Sequence, residues 1–231
     1  MIRTDPDPHV DSFTERLPAA VLDRLARVTG DEKHSAAAHS TLDALWVLHD
    51  RVLRPEAGDR FLLSKGHGPA SYYAVLAARG LMPEAWLDDL AGVDSPLGHH
   101  PDRVLIPAVE ISSGSLGHGL PIAVGLARGL DIAGAGGRVF VLIGDAELDE
   151  GSNHEAIAVA GRLALARLHC IIIDNASASL GWPGGVARRF AVEGWDAAEV
   201  DSRDHAALAA ALEAGGAMPR VTVVRTAAKG S

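Results

Sequence analysis

Short uninterrupted apolar runs alternate along the chain with longer stretches whose apolar positions recur every three or four residues. The two clearest runs are Val139-Phe140-Val141-Leu142-Ile143 and Cys170-Ile171-Ile172-Ile173. They are rich in β-branched residues and too short to span a membrane, which predicts strands buried on both faces of a parallel sheet. Between them Ser152-Asn153-His154-Glu155 has the pattern of a capping box, and Ala156, Ile157, Ala160, Leu163 and Ala164 continue at helical spacing. The segment reads as one strand-helix-strand unit with a right-handed crossover.

The same reading extends in both directions. Residues 17–28 predict a helix with Leu17, Val21, Leu25 and Val28 on one face and Gly30 as its stop, and 41–53 predict a second, apolar at Leu42, Leu45, Trp46, Leu48, Val52 and Leu53. Phe61-Leu62-Leu63-Ser64 predicts a short strand that leads through Lys65-Gly66-His67-Gly68 into a helix over 71–78; Pro83 starts another over 84–90. Residues 94–110, rich in Pro, Gly and His, predict a surface loop. The segment from Ile111 to Gly119 opens a small-residue helix ending at Leu130, and a glycine-rich turn over 132–138 precedes the first long strand. Beyond Asn175 the pattern predicts a loop over 176–189, a strand over 195–200, a helix over 204–214 with Asp204 near its N-cap, and a last strand over 221–225. Alternating strands and helices make the fold class α/β with one dominant sheet, and residues 1–231 read as one domain.

Composition narrows the field of functions. At 231 residues, 48% hydrophobic and 22% charged, the chain can bury a large core. Its net charge of −9, with basic residues scattered, gives no electrostatic footprint for nucleic acid. The lone cysteine, Cys170, cannot form an internal disulfide and reads as a buried small hydrophobe. Residues 1–10 are polar, with Pro6 and Pro8 and no apolar h-region. The expectation is a cytoplasmic protein without a signal peptide or membrane segment.

Candidate chemistry gathers where the apolar runs end. The first closes in Gly144-Asp145-Ala146-Glu147 and the second in Asp174-Asn175, so Asp145 and Asn175 stand 30 positions apart in sequence but at neighbouring strand ends. Ligands of open α/β sheets collect beyond the carboxyl ends of the strands. Mg²⁺ takes octahedral oxygen ligands, one or two of them from carboxylates, and one Asp, one Asn and a backbone oxygen near Ser177 would suit it. From spacing alone a second reading stands beside this one: Asp145 caps the turn that follows and Asn175 merely starts a loop. Gly114, Gly117 and Gly119 could let backbone N–H groups approach a phosphate at a helix start, or could serve close helix packing. Among 11 histidines, His34, His67, His99, His100 and His118 fall in predicted loops or element starts, where imidazoles can exchange protons with hydroxyl and carbonyl groups. None of them has the spacing and cysteine support of a structural zinc site.

These motifs occur in one order. Asp59-Arg60-Phe61-Leu62-Leu63-Ser64-Lys65-Gly66-His67-Gly68, Gly98-His99-His100-Pro101-Asp102, Ser113-Gly114-Ser115-Leu116-Gly117-His118-Gly119, Gly144-Asp145-Ala146-Glu147-Leu148-Asp149-Glu150-Gly151, Asp174-Asn175 and Gly194-Trp195 together resemble the N-terminal domain of transketolases over nearly the whole chain. The resemblance implies a three-layer thiamine diphosphate-binding fold with a mostly parallel central sheet and helices on both faces. It implies a metal, Mg²⁺ or Ca²⁺, held by Asp145 and Asn175 through their side chains and by Ser177 through its backbone carbonyl. Gly144, Ala146 and Glu147 would lie along the diphosphate, and Gly114 and Leu116 near the aminopyrimidine and thiazolium rings. His67 would face the cofactor, His100 the substrate hydroxyls, and His34 matches the histidine of an early glycine-rich loop. Glu150 matches an acidic residue at the subunit interface.

The chain also departs from that pattern. The metal motif reads Gly-Asp-Ala; the early loop reads Lys33-His34-Ser35-Ala36-Ala37-Ala38-His39-Ser40, with alanines in place of two glycines; His118 replaces the usual glutamine. In transketolases the glutamate that activates the aminopyrimidine comes from a pyrimidine-binding domain that 231 residues cannot also contain. The resemblance therefore implies a diphosphate-binding subunit whose partner chain carries the pyrimidine-binding and C-terminal domains, in a heterotetramer that moves a two-carbon ketol unit from a ketose to an aldehyde. Two other readings compete: a different thiamine-dependent carboligation, such as decarboxylative acyloin formation from a 2-oxo acid, and a catalytically silent paralogue. Intact Asp145, Asn175, His67 and His100 argue against silence.

Overall fold

Five strands, Arg60–Leu63 (β1), Val139–Gly144 (β2), Leu168–Asp174 (β3), Asp196–Asp201 (β4) and Arg220–Arg225 (β5), form one sheet in the order β1-β2-β3-β5-β4. Every neighbouring pair is parallel. The structure is a computed structural model that describes residues 17–28, 35–66 and 68–227. Gly30, His34 and His67 lie outside the described residues.

Alternation along the strands separates two cores. Phe61, Leu63, Phe140, Leu142, Ile171, Ile173 and Val224 point to one face, where they meet the helices Ala19–Arg27 (α1), Ser35–Val47 (α2), Pro69–Ala78 (α3) and His205–Glu213 (α7). Leu62, Val139, Val141, Ile143, Cys170, Ile172, Val221 and Val223 point to the other, against Gly119–Ile132 (α4), Gly151–Arg162 (α5) and Val186–Ala191 (α6). Continuous apolar runs thus feed both cores, as expected of a sheet covered on both faces. No helix of the described residues is long and apolar enough to cross a membrane.

The winding locates the ligand edge. The chain leaves β1 for α3 on one face and leaves β2 through a short 3₁₀ turn, Ala146–Asp149, for α5 on the other. Connections that depart to opposite faces open a crevice between the carboxyl ends of the two strands, the usual ligand position in such sheets.

Several local expectations are corrected. The stretch read as an early loop is helical from Ser35, in keeping with the high helix propensity of alanine, and α2 passes into a π-helical turn, Leu48–Val52. Residues 84–90 form only a 3₁₀ helix, Glu84–Asp88. The segment 176–189, read as loop throughout, contains the start of α6, which buries Arg189 and Phe190. The capping box at Ser152 is absent: α5 begins two residues earlier with extended Glu150 at its N-cap, and no side chain caps it. The Ser152 hydroxyl instead donates to the Gly117 carbonyl at 2.7 Å. Asp204 does cap α7, accepting from the Ala207 amide at 3.0 Å.

Candidate active site at the carboxyl edge of the sheet

Asp145 directly follows β2, and its amide donates to the Ile173 carbonyl at 3.0 Å, which extends the β2–β3 ladder and sets the residue beside the end of β3. The side chain is buried, with 2% of its surface exposed. Its carboxylate accepts from the amides of Ala146 (2.9 Å), Ser177 (2.6 Å) and Ala178 (3.1 Å) and from the Ser177 hydroxyl (2.5 Å). Asp145 therefore does cap its turn, and it also gathers the loop that follows β3. Asn175, the other strand-end residue, is buried, and its Oδ1 has no hydrogen-bond partner. A buried acceptor without a donor is rare enough in native folds to need an explanation. A hard cation shared with Asp145 is one, since carboxylate, amide and backbone oxygens are the donors that Mg²⁺ selects. Among the described residues no three His, Cys, Asp or Glu side chains form a metal-holding group.

The glycine turn ahead of α4 closes the other side of the crevice. Gly114 (φ 128°) and Gly117 (φ 83°) adopt backbone conformations that favour glycine. A Cβ on Gly114 would come within 2.9 Å of the His100 ring, and one on Gly119 within 2.2 Å of the Ser64 side chain. The expectation that the Gly117 and Gly119 amides face a phosphate is not met. Gly117 donates to Glu147 Oε1 at 3.0 Å and Gly119 to Ser64 Oγ at 3.0 Å, so both N–H groups turn back into the protein. Ser64 in turn donates to Glu147 Oε1. Glu147 is 1% exposed and its Oε2 has no partner. Burial pushes its carboxyl above the usual carboxylate range, against the opposing pull of Ser64, the Gly117 and Gly144 amides and the charge of Lys65.

His100 is exposed, and its Nδ1–H donates to the Gly66 carbonyl at 2.8 Å. It lies against Gly114, so the two expected site residues do meet. His99 and His118 are exposed, Leu116 and Ser177 are half-buried, and Glu150 is exposed at the start of α5. Sequence reasoning passed over Ser64 and Lys65 as site residues, although each is a polar residue just beyond an apolar strand and both are buried. The Lys65 Nζ donates to Ser40 Oγ at 3.4 Å. Asp145 also borders a cavity of about 150 Å³ walled by Leu148, Ile157, Leu180, Trp182 and Val186.

Comparison with known proteins accords with this geometry. The family described as transketolase, thiamine diphosphate binding domain, matches residues 54–228. The protein named ferredoxin fas2 of Rhodococcoides fascians is 54% identical over 204 residues, 85% of this chain and 66% of that protein. An apulose-4-phosphate transketolase subunit of Actinobacillus succinogenes is 42% identical over 149 residues, 62% of this chain and 53% of that protein. The chain thus spans between about half and two thirds of the length of these two relatives. Among solved structures, transketolase from Campylobacter jejuni superposes with a TM-score of 0.71 over 91% of this chain and 38% of its own, at 21% identity, a likeness of fold.

Proposed function

Because the chain belongs to the transketolase family, in its thiamine diphosphate-binding domain, we propose that it is the diphosphate- and Mg²⁺-binding subunit of a transferase that moves a two-carbon ketol unit from a ketose donor to an aldehyde acceptor. The observation that carries the reading is the pairing of buried Asp145 with the unpartnered Oδ1 of Asn175 at the ends of β2 and β3. Asp145, Asn175 and the Ser177 carbonyl would hold the cation, for which Ca²⁺ can substitute. Gly144, Ala146 and Glu147 would run along the diphosphate through their backbone, with Gly114 and Leu116 beside the rings. Thiamine diphosphate, when bound, supplies the electron sink that such a transfer requires. His34, His67 and His100 would orient the sugar hydroxyls and exchange protons with them.

The remaining groups would come from a partner chain carrying the pyrimidine-binding and C-terminal domains. In support, the Actinobacillus succinogenes relative is itself named as one subunit of a transketolase. The whole chain would act as one diphosphate-binding domain, exposed Glu150 would lie at the interface between the two chains, and the assembly would be a heterotetramer active only when both are present. We place it in the cytoplasm, where a lone thiol such as Cys170 stays reduced. The iron–sulfur chemistry implied by the name of the Rhodococcoides fascians relative is not carried over. Such clusters take four cysteine ligands, and these 231 residues contain one, buried in β3.

The test separates binding from transfer. His100→Ala should leave the calorimetric affinity for thiamine diphosphate unchanged and slow ketol transfer on the order of 10²-fold. Asp145→Ala should abolish Mg²⁺-dependent binding. Unchanged cofactor affinity in Asp145→Ala would sink the metal assignment.

A further inference from the structure

We propose that Glu147 is a positioning residue: its buried carboxylate ties the end of β1 to the glycine turn ahead of α4, and so holds the cofactor-facing turn in shape before any ligand arrives. The inference rests on the reading that this edge receives thiamine diphosphate.

Three segments meet at one oxygen. Ser64 follows β1, Gly117 belongs to the turn before α4 and Gly119 is the first residue of α4, and Glu147 stands in the 3₁₀ turn after β2. Gly119 N–H donates to Ser64 Oγ, the Ser64 hydroxyl donates to Glu147 Oε1, and Gly117 N–H donates to the same Oε1. The direction of the chain is fixed by chemistry. Ser64 Oγ accepts from Gly119, so its single proton is available to Glu147, and an ionised carboxylate can only accept. Gly117 is held from its other side as well, because its carbonyl accepts from Ser152. Ser64 and Glu147 are each 1% exposed, so water does not compete for these bonds.

The location gives the tie its consequence. Ser64 and Glu147 flank the crevice between β1 and β2, and Glu147 lies two residues beyond Asp145. In the turn it holds, Gly114 and Gly117 both have positive φ and no side chain of their own to pack. Gly117 has no room for one, as a Cβ there would lie 2.6 Å from Ser152 Oγ. A turn built from glycine stays in one conformation only if its backbone is fastened elsewhere, and here Glu147, Ser64 and Ser152 fasten it. Gly114, whose close packing seats the His100 ring, precedes the fastened residues by a few positions, so the tie also bears on where that ring stands.

Two measurements test this: hydrogen exchange of the Gly117 and Gly119 amides without cofactor, and calorimetric affinity of the chain, assembled with its partner, for thiamine diphosphate with Mg²⁺. Wild type should show both amides protected. Glu147→Ala should speed their exchange and weaken the cofactor by about tenfold or more while the amides of β2 and β3 stay protected, and Glu147→Gln, which keeps one accepting oxygen, should stay within about threefold of wild type. Rescue by glutamine distinguishes the tie from a need for charge. Rapid exchange of both glycine amides in the wild type overturns the proposal, and so does an unchanged affinity in Glu147→Ala. Should Glu147→Ala fail to fold, Ser64→Ala removes the two bonds of the serine hydroxyl and leaves the Gly117 bond to Glu147 in place; it should free Gly119, leave Gly117 protected and weaken the cofactor, and no change in Gly119 exchange overturns the tie. Protected glycine amides in a wild-type chain that binds no thiamine diphosphate either alone or with its partner would overturn the functional reading, and with it the purpose of the tie, in a way that the variants alone cannot mimic.

Discussion

Asp145 and Asn175 are tied into the fold unequally. Asp145 is bound into the fold by three amides and a hydroxyl, so Asp145→Asn should lose both stability and cation affinity. Among the described residues Asn175 Oδ1 has no hydrogen-bond partner. Asn175→Leu, which removes that unpaired acceptor, should therefore keep or raise the melting temperature while Mg²⁺-dependent thiamine diphosphate affinity falls by about 100-fold or more. Thermal denaturation and calorimetry on the two variants check this; a sharp drop in melting temperature for Asn175→Leu would mean that the residue serves the fold. The positions of these residues were legible in the sequence because each directly follows a continuous apolar run. Their partners were not. Nothing in the local pattern shows that Ser64, 83 positions from Glu147, shares its carboxylate, and the glycine motif gave the turn without saying that its amides face inward.

At the level of elements, the sequence was most informative where burial is two-sided and least where capping decides. Strands β1, β2, β3 and β5 were readable because their residues feed both cores. The start of α5 was not: Ser152 and Glu155 have the capping spacing, yet a tertiary contact with Gly117 takes the serine hydroxyl. Helix α6 escaped notice because Gly184, Gly185 and the paired arginines read as loop, whereas Arg189 is covered by Trp182, its guanidinium 4.6 Å from the ring centre. Where a cap is local, the sequence sufficed, as at Asp204. Asp204→Ala should cost about 1 kcal/mol and lower the melting temperature by about 2–4 °C without changing cofactor affinity. An unaltered melt would show that α7 is held by its packing alone.

Across the whole molecule, the α/β class and the parallel sheet followed from the pattern, but the insertion of β5 between β3 and β4 did not, because strand order is set by which faces the crossovers cover. Acid sensitivity is likewise a property of the assembled core. Burial, aided by the charge of Arg79 and opposed by the Leu45 carbonyl, lowers His49 to about 4. Burial together with the charges of Arg220 and Arg138 lowers His169 to about 3. Unfolded histidine titrates near 6.5, so below that pH the unfolded chain binds more protons than the native one, and stability falls as the pH drops from about 6.5 toward 3. Asp59 acts in the same direction at lower pH. Although burial opposes it, hydrogen bonds from the Arg138 side chain and the amides of Arg138 and Arg54 hold its carboxyl below the usual range. The urea midpoint should therefore decline steadily below about pH 6.5. His49→Phe, which suits the neighbouring rings of Phe61 and Tyr72, should flatten that decline; an identical pH profile would contradict the assignment of His49 as a buried neutral imidazole.

We propose that these residues form the thiamine diphosphate- and Mg²⁺-binding part of a two-chain ketol transferase. The most direct test is calorimetric titration of thiamine diphosphate with Mg²⁺ into the chain, alone and after co-expression with the product of the neighbouring gene, followed by a ketol-transfer assay of the assembled pair. The account predicts cofactor binding and transfer when the partner is present, with both lost in Asp145→Ala. Absence of cofactor binding in either state would contradict it and favour a silent paralogue.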